Sequence, residues 1–98
     1  MYQINLKQPV HAHFIGIGGT SMSGLAEYLL ECGFDISGSD SAHSKYTKHL
    51  EARGIRIYYP QKAENIEEGT DVVIYSAAIH PGNPEYDEVV RQGIPMLS

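Results

Sequence analysis

Short apolar segments alternate with amphipathic segments of helical spacing along this chain of 98 residues, and glycines separate most of them. The predicted strands are residues 13–17, 35–39, 55–58, 71–75 and 94–97, and the predicted helices are residues 21–32, 44–53 and 84–92. Strands that are separated by helices pair in parallel, so the pattern predicts an α/β fold with a doubly wound, five-stranded parallel sheet. Right-handed crossovers favour the strand order 3-2-1-4-5, which places a ligand crevice between the first and fourth strands.

The first predicted helix illustrates the signals that define these segments. Its apolar residues recur at helical spacing and are Met22, Leu25, Ala26, Leu29 and Leu30. Gly33 follows the helix, where a left-handed residue is common. Residues 61–69 are polar and irregular, and a short helical turn is predicted there.

The composition is that of one small domain. The net charge of −5 argues against a nucleic-acid-binding surface, which is normally basic. It leaves room for one bound phosphate group, because backbone N–H groups can hold phosphate. Cys32 is the single cysteine, so no internal disulfide can form, as expected for a cytoplasmic protein. No signal peptide or membrane span is predicted, and residues 1–10 are expected to form an arm leading into the domain.

The most informative motif is the glycine-rich turn between the first predicted strand and the first predicted helix. Such a turn lets a ligand approach the backbone, and the N–H groups and dipole of the helix start attract phosphate. The residues predicted to surround a diphosphate are Gly16, Gly18, Gly19, Thr20, Ser21 and Met22. A serine at position 21 departs from the G-x-G-x-x-G fingerprint, and a simple turn is the alternative interpretation. With a phosphate-binding turn, the predicted sheet is Rossmann-like.

Other candidate ligand contacts follow strands at the same predicted edge of the sheet. Asp40 ends the second strand, where an acidic residue binds a ribose hydroxyl or merely forms a turn. Ser76 and Ala77 follow the fourth strand, and their small size leaves room for a ligand or serves tight packing. Asn83 precedes Pro84, so it either reaches the ligand or caps the last helix.

Neither a metal site nor a catalytic residue is predicted. His11 and His13 share a strand face, but no third ligand stands at metal spacing. Cys32 ends a helix, whose dipole disfavours a reactive thiolate.

Several sequence blocks together resemble the Mur ligases that act on UDP-N-acetylmuramate. The first is HFIGIGGTSMSGLA, residues 13–26, which contains the glycine-rich turn. The others are SGSD at residues 37–40, VIYSAAI at 73–79, NPE at 83–85 and GIPMLS at 93–98. Tyr59 and Pro60 depart from the pattern, because relatives often carry Gly-His there, with the histidine near the nucleotide.

The resemblance implies that residues 1–98 are a single UDP-sugar-binding N-terminal domain that acts in peptidoglycan synthesis, and so in cell shape and division. The diphosphate would lie on the glycine-rich turn, Asp40 near the uridine and Ser76 near the phosphates. Within the family, the pattern is that of ligases that attach L-alanine to UDP-N-acetylmuramate. In such enzymes a second domain binds ATP and magnesium, the muramate carboxylate becomes an acyl phosphate, and an amino acid held by a third domain attacks it.

The chain contains no G-x-x-x-x-G-K-[ST] phosphate loop. The ATP-binding and C-terminal domains are therefore expected outside it, and the chain alone is expected to bind UDP-N-acetylmuramate without ligating it. No nucleic-acid or membrane partner is expected. Three alternatives remain: a ligase that recycles the murein tripeptide, an NAD(P)-binding module of a dehydrogenase, and a regulatory nucleotide sensor.

Overall fold

The computed structural model describes residues 2–98. Met1, the first residue of the predicted arm, lies outside the described residues. The rest of the arm contains no helix or strand, and its residues Tyr2, Ile4 and Val10 pack against the core. Within residues 2–98, no helix has the length and apolar character that crossing a membrane requires.

Strands and helices alternate as predicted. The elements are β1 (His11–Ile15), α1 (Thr20–Glu31), β2 (Asp35–Ser39), α2 (Lys45–Ala52), β3 (Arg56–Tyr58), a 3₁₀ turn (Ala63–Asn65), β4 (Val72–Tyr75), α3 (Pro84–Gln92) and β5 (Met96–Leu97). All neighbouring strands pair in parallel, in the order β3-β2-β1-β4-β5. The predicted fold class and strand order are therefore confirmed.

Several strand boundaries differ from the prediction, and two of the differences have clear local reasons. β1 ends at Ile15 because the N–H groups of Gly16 and Ile17 both donate to the carbonyl oxygen of Ser39, at 2.9 Å each, which turns the chain out of the sheet. β5 begins at Met96 because Pro95 has no N–H to donate to a ladder. The carbonyl of Pro95 still accepts from Val73 at 2.9 Å.

The larger apolar core lies between the sheet and the helices α1 and α2. Alternate residues of β1, Ala12 and Phe14, face this side and are fully buried. The side chain of Ile17 crosses Gly38, where an added Cβ would lie 2.6 Å from Ile17 Cδ1. A side chain at position 38 would push Ile17 outward, so this glycine lets the turn after β1 pack down on β2. Leu25 of α1, predicted as part of the apolar face, is 38% exposed.

The opposite face of the sheet carries a smaller apolar core and a polar one. Ile15 and Val73 of the sheet pack against Val89 of α3. Beside them, His13 and Glu85 are fully buried and joined by a 2.7 Å hydrogen bond. The irregular chain after β3 also packs on this side, where Asn65 Nδ2 and the N–H of Lys62 donate to Glu85.

Candidate functional site

A cleft of about 520 Å³ opens beyond the carboxyl ends of β1 and β4. The strand order changes direction there, and open α/β sheets bind their ligands at such points. The residues that line the cleft are Gly16, Gly18, Gly19, Asp40, Ser41, Ala42, His43, Ser44, Gln61, Ser76, Ala78 and Ile79.

The start of α1 borders this cleft and has no side-chain cap. Gly19 is the N-cap residue, and the first turn holds no acidic residue. The N–H groups of residues 20–22 have no acceptor within the helix, and no other hydrogen bond within residues 2–98 uses them. Thr20 and Ser21 are exposed. Three backbone donors at the positive end of a helix dipole can therefore receive an anion.

The glycine-rich turn divides into residues with different roles. Gly16 adopts a left-handed φ of +82°, which favours glycine. Gly18 does not, and its N–H donates to Asp40 Oδ2 at 2.8 Å. A Cβ on Gly18 would lie 2.7 Å from that oxygen and 3.0 Å from Thr47 Cγ2. Gly18 is thus required for the approach of Asp40, and its N–H is already used within the protein.

Asp40 forms a turn at the edge of the cleft. Its Oδ1 accepts from the N–H of Ser41 and its Oδ2 from the N–H of Gly18, each at 2.8 Å. These bonds make it a turn residue. It also lines the cleft, and its Oδ2 keeps a further lone pair for a ligand hydroxyl.

Of the remaining predicted residues, Ser76 lines the cleft, whereas the others lie beside it or form its surroundings. The Oγ of Ser76 accepts weakly from Ala78 N at 3.3 Å. Ala77 is exposed beside it but is not part of the lining. Thr20 borders a separate groove between α1 and α2. Asn83 caps α3, because its Oδ1 accepts from the N–H groups of Glu85 at 2.9 Å and Tyr86 at 3.2 Å.

Charged side chains also cluster at the amino ends of the strands, across the sheet from the cleft. Arg56 donates to Glu67 at 2.8 and 2.9 Å and to Asp35 at 3.1 Å. The hydrogen bonds from Arg56 lower the pKa of Glu67 to about 2. All charges in this cluster are paired, and it links β2 and β3 to the chain that leads into β4.

The histidines of β1 belong to a hydrogen-bond chain. Ser37 Oγ lies 2.8 Å from His11 Nε2 and 2.9 Å from His13 Nδ1. Within residues 2–98, no group of three or more potential metal ligands comes together.

A family model described as the catalytic domain of the Mur ligase family matches residues 11–98. The chain belongs to the Mur ligase family. It is 58% identical over 98 residues to the UDP-N-acetylmuramate–L-alanine ligase of Agathobacter rectalis, covering 100% of this chain and 21% of that protein. It is 49% identical over 100 residues to the ligase of the same name from Acetivibrio thermocellus, covering 99% of this chain and 21% of the relative. This Mur ligase chain therefore spans about a fifth of the length of the curated relatives it matches.

Solved structures of Mur ligases have the same fold as this chain. The UDP-N-acetylmuramate–alanine ligase of Thermotoga maritima superposes with a TM-score of 0.86 at 33% identity, over 90% of this chain and 20% of that one. The UDP-N-acetylmuramate:L-alanyl-gamma-D-glutamyl-meso-diaminopimelate ligase of Neisseria meningitides gives 0.84 at 34% identity, over 93% and 29%. An NADPH-dependent reductase from Sinorhizobium meliloti gives 0.56 at 19% identity, over 82% and 24%, which shows a shared fold alone.

Outside the loop that follows β4, the sequence reasoning missed five residues of the Mur ligase cleft: Ser41, Ala42, His43, Ser44 and Gln61. The first four follow β2, whose carboxyl end lies at the same sheet edge as the glycine-rich turn, and that position was a usable signal. Gln61 has no such signal, because it reaches the cleft only through the folding of the irregular chain after β3.

Tyr59 follows β3 and lies against His43, which lines the cleft. Its ring stacks on that of His43, with centroids 3.9 Å apart and planes at 29°. Burial raises the pKa of the Tyr59 hydroxyl. The aromatic pair joins the loop after β2 to the end of β3.

Proposed function

We propose that this chain is the UDP-sugar-binding domain of an ATP-dependent ligase that attaches L-alanine to UDP-N-acetylmuramate in peptidoglycan synthesis, in the cytoplasm. The observation that supports this proposal most directly is the uncapped start of α1 beside the cleft. It occurs in a chain 58% identical along its whole length to a protein named for that reaction.

In this proposal the diphosphate lies against the first turn of α1. The N–H groups of residues 20–22 donate to its oxygens, and Gly16 lets it approach the backbone. Gly18 contributes indirectly, because its N–H holds Asp40 in place.

The nucleoside side of the ligand lies toward the loops after β2 and β4. Asp40 accepts from a ribose hydroxyl, as an acidic residue at this position of a Rossmann-like sheet does. Ser76 donates its hydroxyl hydrogen to a phosphate or sugar oxygen, and Ala77 leaves room for the ligand. Asn83 supports the site as the cap of α3.

The proposal divides the reaction between parts of a longer enzyme. This chain binds and orients UDP-N-acetylmuramate, and residues 1–98 form one domain. ATP and Mg²⁺ bind in the ATP-binding domain, and a C-terminal domain presents the amino acid. Alone, the chain binds without hydrolysing ATP. Its role in cell shape and division follows from supplying peptidoglycan precursors.

Parallel calorimetric titrations with UDP-N-acetylmuramate, UDP and NAD test the proposal. We expect saturable binding of the first two and none of NAD. Saturation by NAD without UDP binding would support a dehydrogenase module instead. In the full-length enzyme, release of phosphate that depends on L-alanine rather than on the murein tripeptide distinguishes the two ligases.

A further inference from the structure

The carboxylate of Glu85 is fully buried and does not line the cleft, so the proposed site gives it no role. Its Oε1 lies 2.7 Å from His13 Nε2 and accepts from Ser39 Oγ at 2.8 Å. Its Oε2 accepts from Asn65 Nδ2 at 2.7 Å and from the N–H of Lys62 at 3.2 Å. Burying a carboxylate is costly unless it is fully hydrogen-bonded. Four partners from β1, β2 and the chain between β3 and β4 offset that cost here.

Two of these partners belong to the irregular chain between β3 and β4. Lys62 precedes the 3₁₀ turn and Asn65 is its last residue, and Asn65 Nδ2 also donates to the carbonyl of Pro60 at 2.9 Å. The carboxylate of Glu85 therefore anchors the segment of residues 60–65 to α3. That segment carries Gln61, which lines the cleft.

Gln61 is oriented for use by a ligand. Its Oε1 accepts from Asn83 Nδ2 at 3.3 Å. Within residues 2–98, no hydrogen bond uses Gln61 Nε2 as a donor, so its N–H groups remain for the cleft.

We propose that Glu85 is a positioning residue for the nucleotide cleft: it anchors residues 60–65 so that the Gln61 amide donates a hydrogen bond to the bound UDP-sugar. The inference rests on the proposed function and adds to it a donor outside the glycine-rich turn. Glu85 itself does not touch the ligand.

A matched pair of variants separates positioning from stability. Asn65→Ala and Ser39→Ala each remove one hydrogen bond to the Glu85 carboxylate. Asn65→Ala also removes the bond to the Pro60 carbonyl, so only this variant releases the segment that carries Gln61. We expect both to lower the melting temperature. Only Asn65→Ala should also weaken UDP-N-acetylmuramate binding, by about tenfold, which corresponds to the loss of one good hydrogen bond to the ligand.

Gln61→Ala tests the contact itself, because its half-buried side chain is not part of either apolar core. We expect an unchanged melting temperature and about tenfold weaker binding. The double variant Gln61→Ala/Asn65→Ala should bind no more weakly than Gln61→Ala, since both changes remove the same contact.

The outcomes distinguish this inference from the proposed function. Normal binding by Gln61→Ala, or an equal loss of affinity in Ser39→Ala and Asn65→Ala, overturns the positioning role while UDP-N-acetylmuramate binding by the unaltered chain stands. Should Asn65→Ala not fold, Gln61→Ala alone decides the question. Failure of the unaltered chain to bind UDP-N-acetylmuramate overturns both.

Discussion

The helices α1 and α3 both begin after a strand at the same edge of the sheet, yet their first turns differ. α3 starts with Asn83, whose side chain accepts from two backbone N–H groups, and Glu85 and Asp87 place acidic groups near the helix dipole. α1 starts with Gly19, which offers no cap, and has no acidic residue in its first turn. The first N–H groups of α3 thus have acceptors within residues 2–98, whereas those of α1 do not.

This difference shows that α1 lacks a stabilising contact at the helix start where binding is proposed. A capping side chain stabilises a helix by about 0.5–2 kcal/mol relative to alanine. α2 has such a cap too, in the capping box formed by Ser44 and Thr47. The missing cap on α1 stands beside the cleft, so the donors that a side chain would occupy are available to a phosphate.

The largest expected effect comes from closing the space beside Asp40. Gly18→Val places a branched side chain where Asp40 Oδ2 and Thr47 Cγ2 already lie within 3.0 Å of a Cβ. Displacing the turn should remove one or two hydrogen bonds to the diphosphate, each worth roughly 1.5–3 kcal/mol, and so weaken binding at least about tenfold. Calorimetry with UDP-N-acetylmuramate measures this, after circular dichroism confirms folding.

Lys45→Ala is the control for Gly18→Val, because Lys45 borders the other groove and not the cleft. We expect it to bind almost normally. Normal binding by Gly18→Val together with a loss in Lys45→Ala would mean that the ligand lies elsewhere.

A smaller effect is expected from giving α1 the kind of start that α3 has. Gly19 has an ordinary extended conformation, and a Cβ there would make only van der Waals contacts of 3.7 Å or more. Gly19→Asp should therefore fold, with stability raised by on the order of 0.5 kcal/mol. Binding should weaken, because the carboxylate occupies the donors and repels the diphosphate.

Gly19→Asn separates these two causes, since it caps the helix without a charge. Urea unfolding and calorimetry on both variants should show similar stability and a greater loss of affinity for the aspartate. An aspartate variant that binds as well as the unaltered chain would contradict a diphosphate at this helix start.

The smallest effect on binding is expected from the reciprocal change in α3. Asn83→Ala removes the cap and should lower the free energy of unfolding by about 0.5–2 kcal/mol. Asn83 does not line the cleft, but its Nδ2 donates to Gln61 Oε1 at 3.3 Å, so UDP-N-acetylmuramate affinity should fall by less than in Gln61→Ala. An affinity loss as large as that of Gly19→Asp, without lower stability in urea, would make Asn83 a ligand contact rather than a cap.

Most of the fold could be predicted because its signals are local. β2 has the predicted bounds, residues 35–39, and Gly93 ends α3 with a φ of +73°. The residues Gly16, Gly19, Asp40 and Ser76 meet at one cleft because parallel strands bring their carboxyl ends to one edge. Their contacts with a ligand remain predictions.

What could not be predicted depends on contacts between distant parts of the chain. Glu85 was visible only as the last residue of the NPE block, whereas its burial follows from His13, which lies 72 residues away. Asn83 was left open between ligand contact and cap, and only the geometry of its Oδ1 shows that it is a cap. The hydrogen bond from Gly18 N–H to Asp40 likewise joins two turns, and no local sequence pattern shows that these turns lie in contact.

The strand order has a consequence for synthesis of the chain on the ribosome. β1, α1 and β2 are neighbours in sequence, so they can associate as soon as they emerge. Val72 of β4 lies beside Ala12 of β1, so one wall of the cleft is absent until β4 has been made. Pairing over such separations is slow, because loop closure must precede it. We therefore expect the ligand to bind only after β4 has paired with β1, and to shift the folding equilibrium toward that state as its concentration rises.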